Sequence, residues 1–224
     1  MKILLVVTSL GVGGAERLVT ALADRYAQAG HQPVLVRFHG EAEVLPVEPA
    51  VRLGNLRMRR TPMGIAVALW RLRRLIRSFQ PDIVNSHLVH ANILCRVLRL
   101  VTPMARLVSS AHNTNEEGRG RMIAYRLTDR LADISTNVSE EAVEAFEQQR
   151  ALRPGRMVAI HNGIDIAHFS FDEQARSKVR AELGLTITTP LLLAVGRLWE
   201  QKDYPTLLQA FSCRVPKQNH VNSA

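Results

Sequence analysis

Short unbroken apolar runs alternate with amphipathic helical stretches along most of this chain, and that order restricts the fold more than any other feature. The first run is Ile3 to Thr8. Ala15, Leu18, Val19, Leu22, Ala23 and Tyr26 then recur at helical spacing until Gly30, a helix stop, and Gln32 to Phe38 supplies a second strand. The pattern goes on as a helix over Gly64 to Phe79, a strand over Asp82 to Ser86, a helix over Val89 to Val101 and a strand over Arg106 to Ala111. A helix over Ile123 to Leu131, a strand over Ile134 to Val138, a helix over Glu140 to Gln149 and a strand over Met157 to Ile160 follow. Strands without polar alternation are buried on both faces, which requires a parallel sheet clad in helices. The expected fold class is therefore α/β, a Rossmann-like doubly wound parallel sheet.

Beyond residues 161–169 a charged helix, Asp172 to Leu183, leads into Pro190 to Phe211, which reads as one strand, a glycine and one helix. This looks like only the first βα unit of a second Rossmann-like domain, and a lone unit cannot bury its apolar face. The expected layout is a first domain over 1–170, a linker helix over 171–189, an incomplete second domain over 190–212 and an aberrant or disordered tail over 213–224.

With 46% hydrophobic and 22% charged residues the chain can form a core, which sets aside disordered and collagen-like classes. Its net charge of +9 is carried mostly by arginine, lysine standing only at Lys2, Lys178, Lys202 and Lys217. Such a field attracts phosphates of every kind and names no partner. Cys95 and Cys213 give neither a disulfide framework nor metal-ligand spacing, so a cytoplasmic location without a bound metal is expected. Lys2 before an apolar run leaves a secretory leader as an alternative for the first residues, though the helix that follows favours a βα unit. No run approaches the roughly 20 apolar residues of a membrane-spanning helix.

The cluster Gly11, Gly13 and Gly14 closes the first strand. A dinucleotide fingerprint needs a third glycine and a carboxylate at the end of the second strand. Here Ala15 and Glu16 follow the glycines, and the second strand ends in Arg37, Phe38 and His39, so an NAD-type oxidoreductase is disfavoured. What is left is a slim loop at a helix N-terminus, where free N–H groups and the helix dipole favour anionic or hydroxyl-rich ligands. A tight turn that binds nothing is the plainer alternative.

The segments "GGAER", "PDIVNSHLVHAN" (Pro81 to Asn92), "SSAHNTNE" (Ser109 to Glu116), "NVSEEAVEAF" (Asn137 to Phe146), "AIHNGIDIAHF" (Ala159 to Phe169) and "AVGRLWEQKDYPTLLQAF" (Ala194 to Phe211) come in this order. In that order the chain resembles the family 4 glycosyltransferases. The resemblance implies a retaining, nucleotide-sugar-dependent enzyme of the GT-B fold, whose two Rossmann-like domains face each other across a cleft. The first would hold mainly the acceptor and the second mainly the donor. Carried over by position, His112 would be catalytic, at a strand's end near the reacting sugar, and Gly13, Gly14, Arg197 and Lys202 would bind the donor. Glu16, His87, His90 and Asn113 would fall on the acceptor side. A guanidinium fork and an ammonium can neutralise a leaving diphosphate without a metal, so neither metal nor cofactor is expected. Each role has a structural counterpart: a hydrogen-bonded histidine behind a strand for His87, His90 and His112, a helix cap for Glu16, a turn for Asn162 and Gly163.

Arg71, Arg73, Arg74 and Arg77 accompany Ile65, Leu69, Leu72 and Ile76 at helical spacing, preceded by Arg59 and Arg60. They form either an ordinary solvated face or a contact with anionic lipid. The family's E-x7-E glutamate pair is absent, no acidic residue following Asp203, and Ser212 to Ala224 abandons the apolar pattern. The chain is accordingly expected to stop early in the donor domain and to have little transferase activity alone. The expected function is transfer of a sugar from a nucleotide sugar to a cell-surface glycan or lipid-linked acceptor, in the cytoplasm or peripherally on the inner face of the membrane. The alternative is a non-catalytic acceptor-binding or scaffold subunit that works with a separate donor-domain chain. A nucleic-acid partner is not expected, because no recognised motif or aromatic platform accompanies the charge.

Overall fold

The computed structural model describes every residue except 115, 117, 167, 168, 197, 199 and 215–224. The chain forms two compact units, Met1–Asp165 and Ile166–Ala224. The first is built from β1 (Lys2–Val7), α1 (Gly14–Gln28), β2 (Gln32–Arg37), β3 (Arg52–Asn55), α2 (Pro62–Phe79), β4 (Ile83–His87) and α3 (Val89–Arg99). It continues with β5 (Leu107–Ser110), α4 (Arg119–Thr128), β6 (Ile134–Asn137), α5 (Glu140–Gln148) and β7 (Met157–Ala159). The seven strands are all parallel and lie in the order β3-β2-β1-β4-β5-β6-β7. Strand order therefore reverses between β1 and β4, the place where open sheets of this kind leave a crevice at their carboxyl ends.

Side-chain parity decides what covers each face. Leu4, Val6, Val84 and Leu107 pack with Leu72 and Ile76 of α2 and Cys95 and Leu98 of α3. Met157 continues this face with Val143 and Phe146 of α5 and Tyr125 of α4. On the reverse face Ile3, Leu5, Val7 and Leu35 bury Val19 and Ala23 of α1. Right-handed crossovers account for the division: only the β1-to-β2 connection carries a helix in its direction of travel, whereas α2 to α5 all run the other way. The reverse face of β6 and β7 is consequently open among the described residues, with Ile134 48% and Val158 52% exposed.

Beneath α3 the core is polar. Ser86, Ser109 and Ser135 stand in register across β4, β5 and β6. Ser86 Oγ donates to Asn92 Oδ1 (2.7 Å), and Asn92 Nδ2 donates to the Tyr125 hydroxyl (2.8 Å). Arg96, fully buried, donates from Nε to Ser109 Oγ (3.1 Å), from Nη2 to Ser135 Oγ (2.9 Å) and from Nη1 to Thr128 Oγ1 (3.4 Å), with its guanidinium 4.8 Å from the Tyr125 ring centroid. The α3 helix is thereby bolted to three strands by hydrogen bonds rather than by apolar contact alone.

Several boundaries differ from the sequence expectation. The Lys2–Val7 segment is an interior strand between β2 and β4, with Leu4 to Val7 fully buried, in keeping with the βα reading of these residues. Helix α2 begins at Pro62 rather than Gly64, because Thr61 accepts from Gly64 N (3.1 Å) and proline occupies the first turn. Helix α4 starts at Arg119 and its expected end, Asp129–Leu131, is a 3-10 turn. Strand β3 was not expected at all: "RLGN" is a short edge strand without an apolar run.

The second unit contains α6 (Glu173–Glu182), capped by Asp172 Oδ1 accepting from Gln174 N (2.8 Å) and Ala175 N (3.0 Å), and α7 (Tyr204–Arg214). The strand expected within 190–196 does not form: Leu191 to Val195 lie in no strand, and Leu193 and Val195 are 81% and 85% exposed. A parallel strand exists only by pairing, and the described residues of this unit provide it with no neighbour.

Candidate functional site

The carboxyl edge of the sheet collects the turns that follow β1, β4 and β5. After β1, Gly13 precedes α1 with extended backbone, and no side chain caps the helix. A Cβ on Gly13 would overlap the Glu16 carboxylate, whose Cδ lies 3.1 Å from that position. Glu16 thus folds back over the start of its own helix. A Cβ on Gly14 would meet nothing within 4 Å, so open space faces the first turn of α1. Strand β2 ends in Arg37, whose Nε donates to the Gly40 carbonyl (2.9 Å), and the residues at its end, Arg37, Phe38 and His39, carry no carboxylate of the kind that receives a dinucleotide ribose.

After β4 the backbone is strained. Leu88 has φ 72° and ψ 152°, a region that costs a residue with a Cβ about 1–3 kcal/mol. Its amide donates to the Ser110 carbonyl (3.3 Å) and its carbonyl accepts from Asn92 N (2.9 Å), which holds the conformation. The turn brings His90 and Asn113 together around a cavity of about 210 Å³ that also contacts Thr8, Ser9, Glu116 and Arg121. Arg121 Nη1 donates to the Glu116 carbonyl (2.7 Å). Burial, then the charges of Arg121, His39 and Arg60, holds the His90 imidazole below its usual range.

His87 and His112 form a separate arrangement. His87, at the end of β4, is 1% exposed, and its Nδ1 lies 3.0 Å from His112 Nε2 with the rings stacked at 5.3 Å between centroids. Burial, reinforced by His112, pushes His87 down to about 3, and burial alone lowers His112 to about 4. Both rings border a groove of about 370 Å³ on the reverse face of the sheet, between Leu18, Leu22 and Tyr26 of α1 and residues 160–163. At its floor Thr136 Oγ1 donates to Ser110 Oγ (3.0 Å), which donates to Asn85 Oδ1 (3.1 Å). The structure therefore splits the four acceptor-side and catalytic candidates from β4 and β5 into two pairs, His90 with Asn113 and His87 with His112.

The remaining candidates lie elsewhere. Lys202 is exposed in the second unit, its stem 3.6 Å from the position of a Cβ on Gly196. Arg197 lies outside the described residues. Among the described residues no three His, Cys, Asp or Glu side chains converge to hold a metal ion. Thr8, Leu88 and Arg121 escaped sequence reasoning. Leu88 carries no signal in its residue type, but Arg121 follows "SSAHNTNE" closely enough to have been counted with it.

The α2 helix has two exposed sections. Met63 (73%), Val67 (37%) and Trp70 (58%) line its first half, and Arg74 and Arg77 continue the same face. The Arg74 guanidinium lies 5.8 Å from the Trp70 ring centroid. Arg71 instead donates to the Leu56 carbonyl (2.7 Å) and is not part of that face.

Residues 12–168 match the profile described as Glycosyltransferase Family 4. The chain belongs to glycosyltransferase family 4. Solved structures agree on the fold. Anabaena HepE in complex with UDP-glucose superposes with a TM-score of 0.78 at 20% identity, covering 96% of this chain and 58% of that one. Sucrose-phosphate synthase from Thermosynechococcus elongatus gives 0.76 at 16% identity, covering 96% and 60%. A glycosyltransferase from Rickettsia africae gives 0.73 at 15% identity, covering 95% and 57%. The family 4 chain described here thus spans about three fifths of the length of these structures. No curated protein matches it. Family membership removes the oxidoreductase alternative and makes this a Rossmann-like domain of the glycosyltransferase GT-B type.

Proposed function

We propose that this chain acts in transferring a sugar from a nucleotide diphosphate donor to a cell-surface glycan or glycolipid, with Met1–Asp165 on the acceptor side. The observation that supports the reading is that Gly13, Gly14, His90, His112 and Asn113 all fall in the turns after β1, β4 and β5, at the carboxyl edge of the sheet of a family 4 chain, although the histidines border two different cavities. In this reading His112 is the catalytic residue beside the reacting sugar. Gly13 and Gly14 let the donor phosphates approach the uncapped N-terminus of α1, where N–H groups and dipole favour negative charge. Arg197 and Lys202 neutralise the diphosphate as it leaves, so the chemistry calls for no metal or cofactor. Glu16, His90 and Asn113 receive the acceptor, and His87 stands behind His112.

The test is incubation of the protein with radiolabelled UDP-glucose and other nucleotide sugars in the presence of cell-envelope extract. The chain alone is expected to give only weak protein-dependent label in a glycan or lipid, and that label should fall about 100-fold or more in His112→Ala, as for a group stabilising the transition state. Retention of an envelope glycan or lipid without transfer identifies the non-catalytic acceptor-binding subunit instead. Neither transfer nor retention would overturn both.

The exposed face of α2 supports a peripheral contact with an anionic membrane at the inner surface of the cell. Met63, Val67 and Trp70 supply apolar insertion, and Arg74 and Arg77 meet the headgroups. No described helix is long and apolar enough to cross a membrane. Each basic residue near such a surface contributes about 1 kcal/mol, so removing both arginines should lower partitioning onto anionic vesicles roughly 30-fold. Cosedimentation with vesicles of phosphatidylglycerol, against phosphatidylcholine alone, measures this; equal binding to both would refute the contact.

A further inference from the structure

The stacked histidines at the head of the groove hold more information than their proximity. Two neutral imidazoles share two protons. One sits in the hydrogen bond between His87 Nδ1 and His112 Nε2, and the other must occupy one of the two outer nitrogens, His87 Nε2 or His112 Nδ1. Both outer nitrogens are buried and without a hydrogen-bond partner among the described residues. The pair therefore has one bare lone pair and one unused N–H, and only their assignment is open.

Burial decides it. An orphaned N–H is the rarer and costlier defect in a protein interior, so it belongs on the less enclosed ring. Both rings border the groove, but His87 is 1% exposed whereas His112 is only partly buried. The outer proton thus goes to His112 Nδ1, the shared proton is carried by His87 Nδ1, and His112 Nε2 accepts it.

We propose that His87 is a positioning residue: through its Nδ1–H it locks His112 in one orientation and in the Nδ1–H tautomer, so that His112 stands at the sugar-transfer site as a fixed, neutral ring whose Nε2 is already engaged. This rests on the reading of His112 as the residue beside the reacting sugar. His87 acts only through His112 and touches no ligand itself. The depressed proton affinity of both rings agrees with a pair that stays uncharged at neutral pH. The consequence for the chemistry is specific. His112 cannot act as a general base through Nε2, because that lone pair is occupied by His87, and it cannot donate as an imidazolium.

Long-range nitrogen–proton NMR of the imidazoles of the intact chain at neutral pH tests the assignment. The expected spectrum has both His87 and His112 as Nδ1–H tautomers with unprotonated Nε2. A protonated Nε2 on either ring overturns the proposal, and no variant is needed to see it. His87→Asn keeps a donor amide where Nδ1 stands and should preserve the His112 tautomer. His87→Leu removes the donor and should release His112 to the Nε2–H form; an unchanged His112 signal in a folded His87→Leu protein also overturns the proposal. The envelope assay fails or succeeds independently of these spectra. A chain with the expected tautomers and no sugar transfer or acceptor retention retains the pair and loses the transferase reading.

Discussion

Arg96→Ala is expected to cost about 3–5 kcal/mol of stability, close to the whole margin of a marginally stable domain. Arg96 is fully buried, yet no carboxylate is among the groups to which it donates: it reaches Ser109, Ser135 and Thr128 hydroxyls and the Tyr125 carbonyl. Removal leaves those acceptors without their donor inside the core, each at about 1–3 kcal/mol if nothing replaces it, and opens a cavity between α3 and the sheet. The loss is partly offset because a desolvated guanidinium no longer has to be buried, and burial already lowers its proton affinity. Arg96→Met fills the cavity but not the hydrogen bonds and should cost roughly half as much. Urea unfolding with an unchanged slope measures both. A cost under about 1 kcal/mol for Arg96→Ala would mean that the serine row is satisfied without it.

Stability is also expected to fall steeply on mild acidification. His87 and His112 have folded values of about 3 and about 4, below the 6.5 of the unfolded chain. The unfolded state therefore binds more protons than the folded state throughout this window, so stability rises with pH across it. It is fully present above about pH 6.5 and is lost progressively as pH falls towards 4, at up to about 1.4 kcal/mol per pH unit for each ring. His39 and His90, also lowered chiefly by burial, add in the same direction. Urea midpoints from pH 7 to pH 4.5 give the slope. His112→Asn, which removes one of the two groups, should flatten it, and a midpoint independent of pH would contradict the buried neutral pair.

How far the sequence foretold this molecule depends on which interaction built each part. The strands β1 and β2 were legible because burial on both faces demands continuous apolar residues, β4 and β5 from their apolar beginnings between helical stretches, and Gly30 marked the end of α1 with φ 78°. Strand β3 was not, because an edge strand is made by pairing to Val34 through Arg37 and needs no apolar run of its own. The reverse error occurred at Leu191 to Val195, whose strand-like composition finds no strand to pair with among the described residues.

At the site, residue type and order marked His87, His90, His112 and Asn113, but not the division between them. Which histidines meet depends on strand register, and His87 is opposite Ser110 only because β4 and β5 pair as they do. Arg96 was unreadable for the same reason: in sequence it is one basic residue in a helix, and only the alignment of three serines on different strands explains why it is buried. The strain at Leu88 has no sequence signature, since glycine is the residue a reader would look for at such an angle.

The one-sided cladding of the sheet writes two separate constraints into alternate codons. Along β4 to β7, Val84, Ser86, Leu107, Ser109, Ser135 and Met157 point at helices and are fixed by what lies above them. Ile134 and Val158, on the opposite side, have no helix above them among the described residues and are about half exposed. Drift can accumulate at Ile134 and Val158 while the positions between stay locked, whereas His87, Ser110 and Thr136 on that same side are held by the buried contacts of the groove.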